Sequence, residues 1–464
     1  PLYYLLVGWP TLLMSTPSSL YAMRIISAIL NGAMLAVAYL AAGLRLFPLR
    51  NSAILRKFTR HKFTTPVRVQ VPSTQRNNYL SLGVTIAMTP VVLFNGSIIN
   101  PNGLEATGAI ALWSCLAAMF CNSPGSEQSL LIPLGTVSAC ITASMRGLSP
   151  FWVVVICLIA AIYAGKESIS RIFQHRLSKI CLATIFAALS LASIWIIWAG
   201  SLDLAGYPCG NKCPSLPRAI SISAGKTWTD LHQLVNVFGW INLSTNKLTT
   251  DTTAPQATYL IWCAVMIGVL LAVAYATLPH RKFSILRNDT SNVFRSSKPS
   301  SRTIPIESDT RQRNFQKSRG IALGILVLAV IVMPVILEVS QSRNIGFIWQ
   351  GRYILPIAVG IPILASGMLR PGHMMVQFVR FCGLILLIGQ VIAFYGILHR
   401  YSVGANGSWW IFGHVAWSPP LPICLLIALL ALSMSSVYWS MLKSIAPTPE
   451  TISITTSPRP QKID

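Results

Sequence analysis

Residues 320–340 read GIALGILVLAVIVMPVILEVS. A helix needs about 20 mainly apolar residues to cross the hydrocarbon core of a bilayer. This stretch has that length and one ionisable side chain, Glu338, close to its C-terminal end. It predicts a membrane span, and comparable stretches recur along the chain. Eleven are placed in all: 20–43, 79–99, 102–121, 128–145, 149–165, 180–199, 257–278, 320–340, 353–369, 376–398 and 421–442. Two of them, 149–165 and 353–369, are short for a span. Leu2–Met14 is apolar, but it holds Pro10 and is too short to cross, so it reads as an interfacial or re-entrant helix. The expected fold is an all-α polytopic membrane protein of about eleven transmembrane helices.

Composition agrees with the spans. The 464 residues are 53% hydrophobic and only 10% charged, with a mean hydropathy of +0.59, whereas soluble domains carry about 25% charged residues. The formal charge of +24 could suggest nucleic acid, yet no platform of interleaved basic and aromatic residues is present to hold bases. Topology explains the charge better, because Lys and Arg collect on the cytoplasmic side of membrane proteins. Segments 44–78, 166–179 and 279–319 hold eight, four and ten basic residues. All three fall on one face when the spans simply alternate, and 26 of the 36 basic residues end up there. That orientation puts the tail in the cytoplasm and residue 20 outside. With Pro1 as first residue and no basic n-region, it also predicts one more span upstream. The expected organisation is a membrane domain over 1–442, with an outer loop domain at 200–256 and a disordered basic loop at 279–319. A disordered tail follows at 443–464.

Of ten cysteines, only Cys209 and Cys213 lie in the outer loop, as CGNKC. Outside the cytoplasm such a pair forms a local disulfide; the zinc alternative lacks ligands, His232 being the one histidine of the loop. Leu231, Leu234, Val235 and Phe238 have the spacing of an amphipathic helix, with Asp230, Gln233 and Asn236 on other faces. It reads either as a helix lying on the membrane surface or as a lid over an outward site.

Charges inside a membrane are costly and often functional. No Asp or Glu sits in the middle of a predicted span, and Arg24 and Arg380 lie near span ends. Polar residues gather instead in three outer segments. In NGSIINPNGLE, Asn95 to Glu105, the spacing of Asn102 and Glu105 fits a capping box; the functional alternative makes Glu105 an acid or base. In Glu338 to Tyr353, which ends on WQGRYILP, Glu338 faces Arg343 and Arg352 as a loop-closing pair and Gly351 permits a tight turn. Arg352 there can fork two hydrogen bonds onto a phosphate or carboxylate, with Gln350 and Tyr353 beside it. In LHRYSVGANGSWW, Leu398 to Trp410, His399, Arg400 and Tyr401 are an interfacial anchor or a second phosphate clamp.

PLYY at the start, Ala22–Asn31, MTP at 88–90, NPNGLE at 100–105, FGW at 238–240, QGRYILP at 350–356 and HRYSVG at 399–404 occur in this order over nearly the whole chain. In these the chain resembles the bacterial, especially actinobacterial, membrane proteins grouped as domain of unknown function 2142. That resemblance implies a glycosyltransferase of the GT-C class in the bacterial plasma membrane. Such an enzyme takes a sugar from a polyprenyl-phosphate donor at the outer face during cell-envelope glycan assembly. It also implies an Asp-Glu…His motif just before the PLYY segment, upstream of Pro1. Within the chain, Glu105 and Glu338 are the candidate catalytic acids, and Gln350, Arg352, Tyr353, His399, Arg400 and Tyr401 the candidate phosphate ligands. No cofactor is identified; the chemistry admits a divalent metal, for which no ligand cluster of diagnostic spacing is seen. The expected partners are membrane lipid and a lipid-linked sugar, with no nucleic acid and the oligomeric state open. The alternative is a non-enzymatic lipid-linked glycan transporter or envelope-assembly protein, for which repeat symmetry or a polar path across the bilayer would speak.

Overall fold

The computed structural model describes residues 2–43, 79–121, 128–174, 176–200, 213–235, 238–242, 247–252, 254–277, 307–343, 346–347, 349–370, 372–404, 407–412 and 417–445. A short helix, α1 (Leu2–Gly8), and a 3-10 turn (Trp9–Leu12) lead into α2 (Thr16–Gly43). α3 (Leu80–Ala87) and α4 (Pro90–Ser97) form a bent pair, followed by α5 (Pro101–Cys121) and α6 (Gln128–Ala143). A second bent pair, α7 (Ser149–Ala164) and α8 (Lys166–Phe173), precedes α9 (Arg176–Trp198) and α10 (Leu216–Gln233). An antiparallel hairpin of β1 (Phe238–Asn242) and β2 (Lys247–Thr252) comes next, then α11 (Gln256–Thr277) and α12 (Glu307–Gln341). A 3-10 turn (Gly351–Ile354) continues into α13 (Leu355–Ala358) and α14 (Gly360–Ser366). The long helices α15 (His373–Val403) and α16 (Ile423–Ile445) end the described fold.

Seven of these helices (α2, α5, α9, α11, α12, α15 and α16) are long and apolar enough to cross a membrane, or nine spans if each bent pair counts as one. The sequence predicts eleven. The other two stretches are helical but short: α6 has 16 residues with Pro133 inside, and 351–366 is interrupted at Val359. Pro362 has no N–H to give the carbonyl of Ala358, which disfavours one continuous helix there. A second correction concerns the loop 279–319. Residues 307–319 belong to α12 and extend the apolar helix rather than lying in a disordered segment. The rest of that loop, the basic segment 44–78 and the tail from 446 lie outside the described residues.

α5 is the centre of the bundle. Its apolar window is 94% buried, against 0% for that of α16, and α2, α4, α6, α7 and α14 pack around it. Small residues allow the close approach, as is usual between helices in lipid. A Cβ on Gly108 would sit 2.5 Å from Thr142 Oγ1, and one on Gly83 would sit 2.6 Å from the carbonyl of Pro362.

The bends follow from the sequence. MTP at 88–90 ends α3, because Pro90 cannot donate to the carbonyl of Ile86, and the chain turns by 64° into α4. The stranded carbonyls are taken by neighbours: Trp262 Nε1 donates to Ile86 O at 3.0 Å, and Gln390 Nε2 donates to Met88 O. At the second bend, of 112°, Gly165 takes φ +73°, a conformation that side-chain-bearing residues rarely adopt. Replacing Trp262 by Phe, or Gln390 by Leu, should strand a buried carbonyl at a cost of about 1–3 kcal/mol. The readout is thermal unfolding in detergent, where each variant should melt several degrees below wild type.

Candidate functional site

Two of the three polar segments meet at one end of the bundle. The first centres on Glu105 in the opening turns of α5. Asn100, not Asn102, caps this helix, its Oδ1 accepting from the N–H of Asn102 at 3.0 Å. The expected capping box is therefore absent, because the helix begins two residues earlier than that box requires and the Glu105 carboxylate is engaged elsewhere. Its carboxylate, 2% exposed, accepts from Ser149 Oγ at 2.6 Å and lies 4.0 Å from Arg146. Ser149 in turn accepts from the backbone N–H of Arg146 at 2.9 Å, and the Arg146 guanidinium donates to Asn102 Oδ1. The turn between α6 and α7 thus exists as a frame for Arg146.

Arg146 also lies over the ring of Tyr353, 4.6 Å from its centroid, and Arg352 approaches the same ring at 5.5 Å. The NPNGLE and QGRYILP segments meet at this tyrosine, two guanidiniums on one aromatic ring. Trp349 touches Tyr353 edge to face at 5.5 Å. Below them Trp113 Nε1 donates to the carbonyl of Pro356 at 3.0 Å. This ties the 351–358 segment to α5.

On the other side of Trp349, Glu338 is not paired with an arginine as the sequence suggests. Its partner is Lys226, from α10, and the same carboxylate accepts the backbone N–H of Trp349 at 3.1 Å. Lys226 reaches the carbonyls of Phe347 and Trp349 as well, each at 3.4 Å. Gln233 Oε1 accepts the N–H of Gly351 at 2.6 Å. Gly351 has no positive φ; its role is close approach, since a Cβ there would fall 2.0 Å from the carbonyl of Asp230.

α10 occupies 216–233, earlier than the amphipathic helix expected around 231–238, and the chain then forms the β1–β2 hairpin. Its buried side is its polar side: Asp230 and Gln233 are 4% and 3% exposed, while Trp228 is 75% exposed. The inversion has a physical cause, because α10 docks against the charged end of α12 and polar backbone rather than against an apolar face. Burial pushes the Asp230 carboxyl up to about 7; Lys226 opposes this and Glu338 adds to it. The sequence pairs Cys209 with Cys213 in a disulfide. Cys213 is disulfide-bonded, and Cys209 lies outside the described residues.

The third segment has contacts of its own. His399, 5% exposed, contacts Gly407 O through Nε2 at 3.2 Å and stacks on Trp409 at 4.7 Å, while Tyr401 meets Trp417. Helix α15, which carries these residues and Arg400, packs on α3, α11 and α16. Among the described residues, no three His, Cys, Asp or Glu side chains gather as a metal site.

Sequence reading missed Arg146, Lys226, Asp230 and Gln233. The signal was available for the last three, which recur at i, i+4 and i+7 and so form one polar stripe. Asp230 also gives the site a pH dependence. Its carboxyl is raised from 3.8 to about 7, so above about pH 4 the unfolded chain loses a proton that the folded one keeps. Stability should therefore fall as pH rises from about 4 to 7 and level off above. Asp230→Asn should flatten that slope, its advantage over wild type growing to roughly a few kcal/mol at pH 8. Thermal unfolding of both proteins across pH 5–8 reads this difference.

The sequence matches the family model described as predicted membrane protein (DUF2142) over residues 67–361, well over half the chain. That range contains Glu105, Arg146, Lys226, Asp230, Glu338 and Arg352. Neither the curated proteins nor the solved structures contain a match. The chain belongs to the domain of unknown function 2142 family of predicted membrane proteins.

Proposed function

We propose that the protein is a membrane glycosyltransferase. It takes a sugar from a polyprenyl-phosphate carrier at the outer face of the bacterial plasma membrane, in cell-envelope glycan assembly. One observation carries this reading: Arg146 and Arg352 converge on the ring of Tyr353 at the end of the bundle. Two guanidiniums repel each other, and an anion placed between them relieves that cost. Each can fork two hydrogen bonds onto a phosphate. The outer placement rests on the alternation of eleven spans read from the sequence, which puts the basic segments 44–78, 166–179 and 279–319 on the opposite side.

The chemistry this arrangement suits is displacement at the anomeric carbon. An acceptor hydroxyl attacks C1 of the sugar as the C1–oxygen bond to phosphate breaks. The bonding electrons leave with polyprenyl phosphate, and the hydroxyl proton passes to a carboxylate. Negative charge grows on the phosphate along this path, and preorganised cations around it lower the barrier. Glu105 and Glu338 are poor proton acceptors, since Ser149 and Arg146 engage the first and Lys226 with the Trp349 N–H engages the second. Asp230 is better suited, because Oδ1 makes no hydrogen bond.

Full-length protein in liposomes, given polyprenyl phosphate bearing a labelled sugar and membrane extract as acceptor source, should transfer label to a water-soluble or higher-mass product. Arg352→Ala should lower the turnover about 10²-fold, as loss of a charge-stabilising donor does elsewhere, and Arg352→Lys should restore part of it. Label that crosses the bilayer unchanged, with no product, would instead identify a transporter. Wild-type turnover in Arg352→Ala would remove the phosphate clamp.

A further inference from the structure

The polar contact between α10 and residues 349–351 has more hydrogen-bonding capacity than the protein uses. Asp230 Oδ1 and Gln350 Oε1 are buried acceptors without a hydrogen-bond partner, and Gln233 Nε2 and Trp349 Nε1 are buried donors in the same condition. Their residues are 4%, 7%, 3% and 4% exposed. An unsatisfied buried polar atom costs about 1–3 kcal/mol, so four in one place need a reason.

They do lie in one place. Gln233 bonds the N–H of Gly351, next to Gln350, which also fixes the orientation of its amide. The carbonyl of Asp230 sits where a Cβ on Gly351 would be. The carboxylate of Asp230 feels the charges of Lys226 and Glu338, and Glu338 holds the backbone of Trp349. We infer that Asp230, Gln233, Trp349 and Gln350 form a hydroxyl-binding subsite for the sugar carried by the phosphate. This deepens the glycosyltransferase reading and rests on it.

Two features point to a neutral polyol. Two acceptors and two donors on neighbouring residues complement hydroxyl groups, each of which both donates and accepts. Charge then divides the two halves of the site. Among the described residues, two guanidiniums and the carboxylate of Glu105 stand at the Tyr353 end, and the carboxylates of Asp230 and Glu338 with the ammonium of Lys226 at the other. A phosphate is drawn to the first group and repelled by the second, which leaves the second for the uncharged part of the donor. Trp349 and Tyr353, in edge-to-face contact, join the two halves.

The test is binding, apart from turnover. Full-length protein in nanodiscs is titrated with undecaprenyl phosphate, bare and carrying one hexose or one pentose. Wild type should hold a glycosylated lipid at least about tenfold tighter than the bare phosphate, the scale of a hydrogen bond to a charged group. Asp230→Ala and Gln350→Ala should each lose most of that preference, whereas Arg352→Ala should weaken both lipids. Thermal melting checks that each variant is folded, and either variant alone suffices. Full preference retained in a folded variant, or no preference in wild type while the bare phosphate still binds, overturns the subsite and leaves the clamp standing. Failure of wild type to bind any of the lipids overturns the sugar-phosphate reading and the subsite together.

Discussion

A backbone carbonyl without a donor is the expense that an apolar bundle has to avoid, and the architecture turns on how it does so. The bends at MTP and at Val359 strand carbonyls in the interior. Indole and amide groups from distant helices reach in to take them: Trp262 to Ile86, Gln390 to Met88 and Trp113 to Pro356. Each contact crosses from one helix to another, so repairing the backbone also fixes the packing. α5 can be buried on nearly all sides only because its neighbours are pinned in this way. Its position sets where Glu105 emerges at the end of the bundle.

Charge at that end follows the same rule. Glu105 and Glu338 are nearly inaccessible to water, and each has a cation from a separate element: Arg146 from the α6–α7 turn and Lys226 from α10. Taking away one partner of a buried pair leaves a charge that nothing compensates, at several kcal/mol. Elements far apart in the chain are therefore tied by charge as well as by apolar packing. The two clusters also have opposite balances, and both touch the WQGRYI segment, which sees a cationic neighbourhood at Tyr353 and an acidic one at Trp349.

How much of this was legible in the sequence depends on the physical signal. Apolar length is a strong signal, and every predicted span has a helix at its place, although α6 and the 351–366 segment are too short or too broken to cross as regular helices. Proline marked the interruptions. Glu105, Glu338, Arg352 and Tyr353 were singled out because charge and aromatic residues at span ends are conspicuous. Their partners were not, since Arg146 stands alone in a short turn and Lys226 lies more than a hundred residues from Glu338. The reading of α10 failed for a different reason. Apolar periodicity locates a buried face only where the partner surface is apolar, and here it is charged and polar, so the stripe of Lys226, Asp230 and Gln233 turned inward. His399 and Arg400 resemble Arg352–Tyr353 as residue types but are carried on α15, whose packing leads elsewhere.

The docking of α10 has a consequence for how the site could respond to its ligand. This helix touches the 349–351 segment through hydrogen bonds and a glycine that admits the carbonyl of Asp230, beside the Lys226–Glu338 ion pair. Hydrophobic burial varies slowly with local charge, whereas an interface of this kind changes with every proton or anion nearby. Asp230, titrating near neutrality beneath Gly351, is therefore coupled to the position of Arg352, the next residue along. An anion settling on Arg352 and Arg146 would draw the 350–353 segment toward itself and alter the fit of Gly351 on α10. Any side chain at 351 would push the segment off the carbonyl of Asp230, and with it move Arg352 relative to α10.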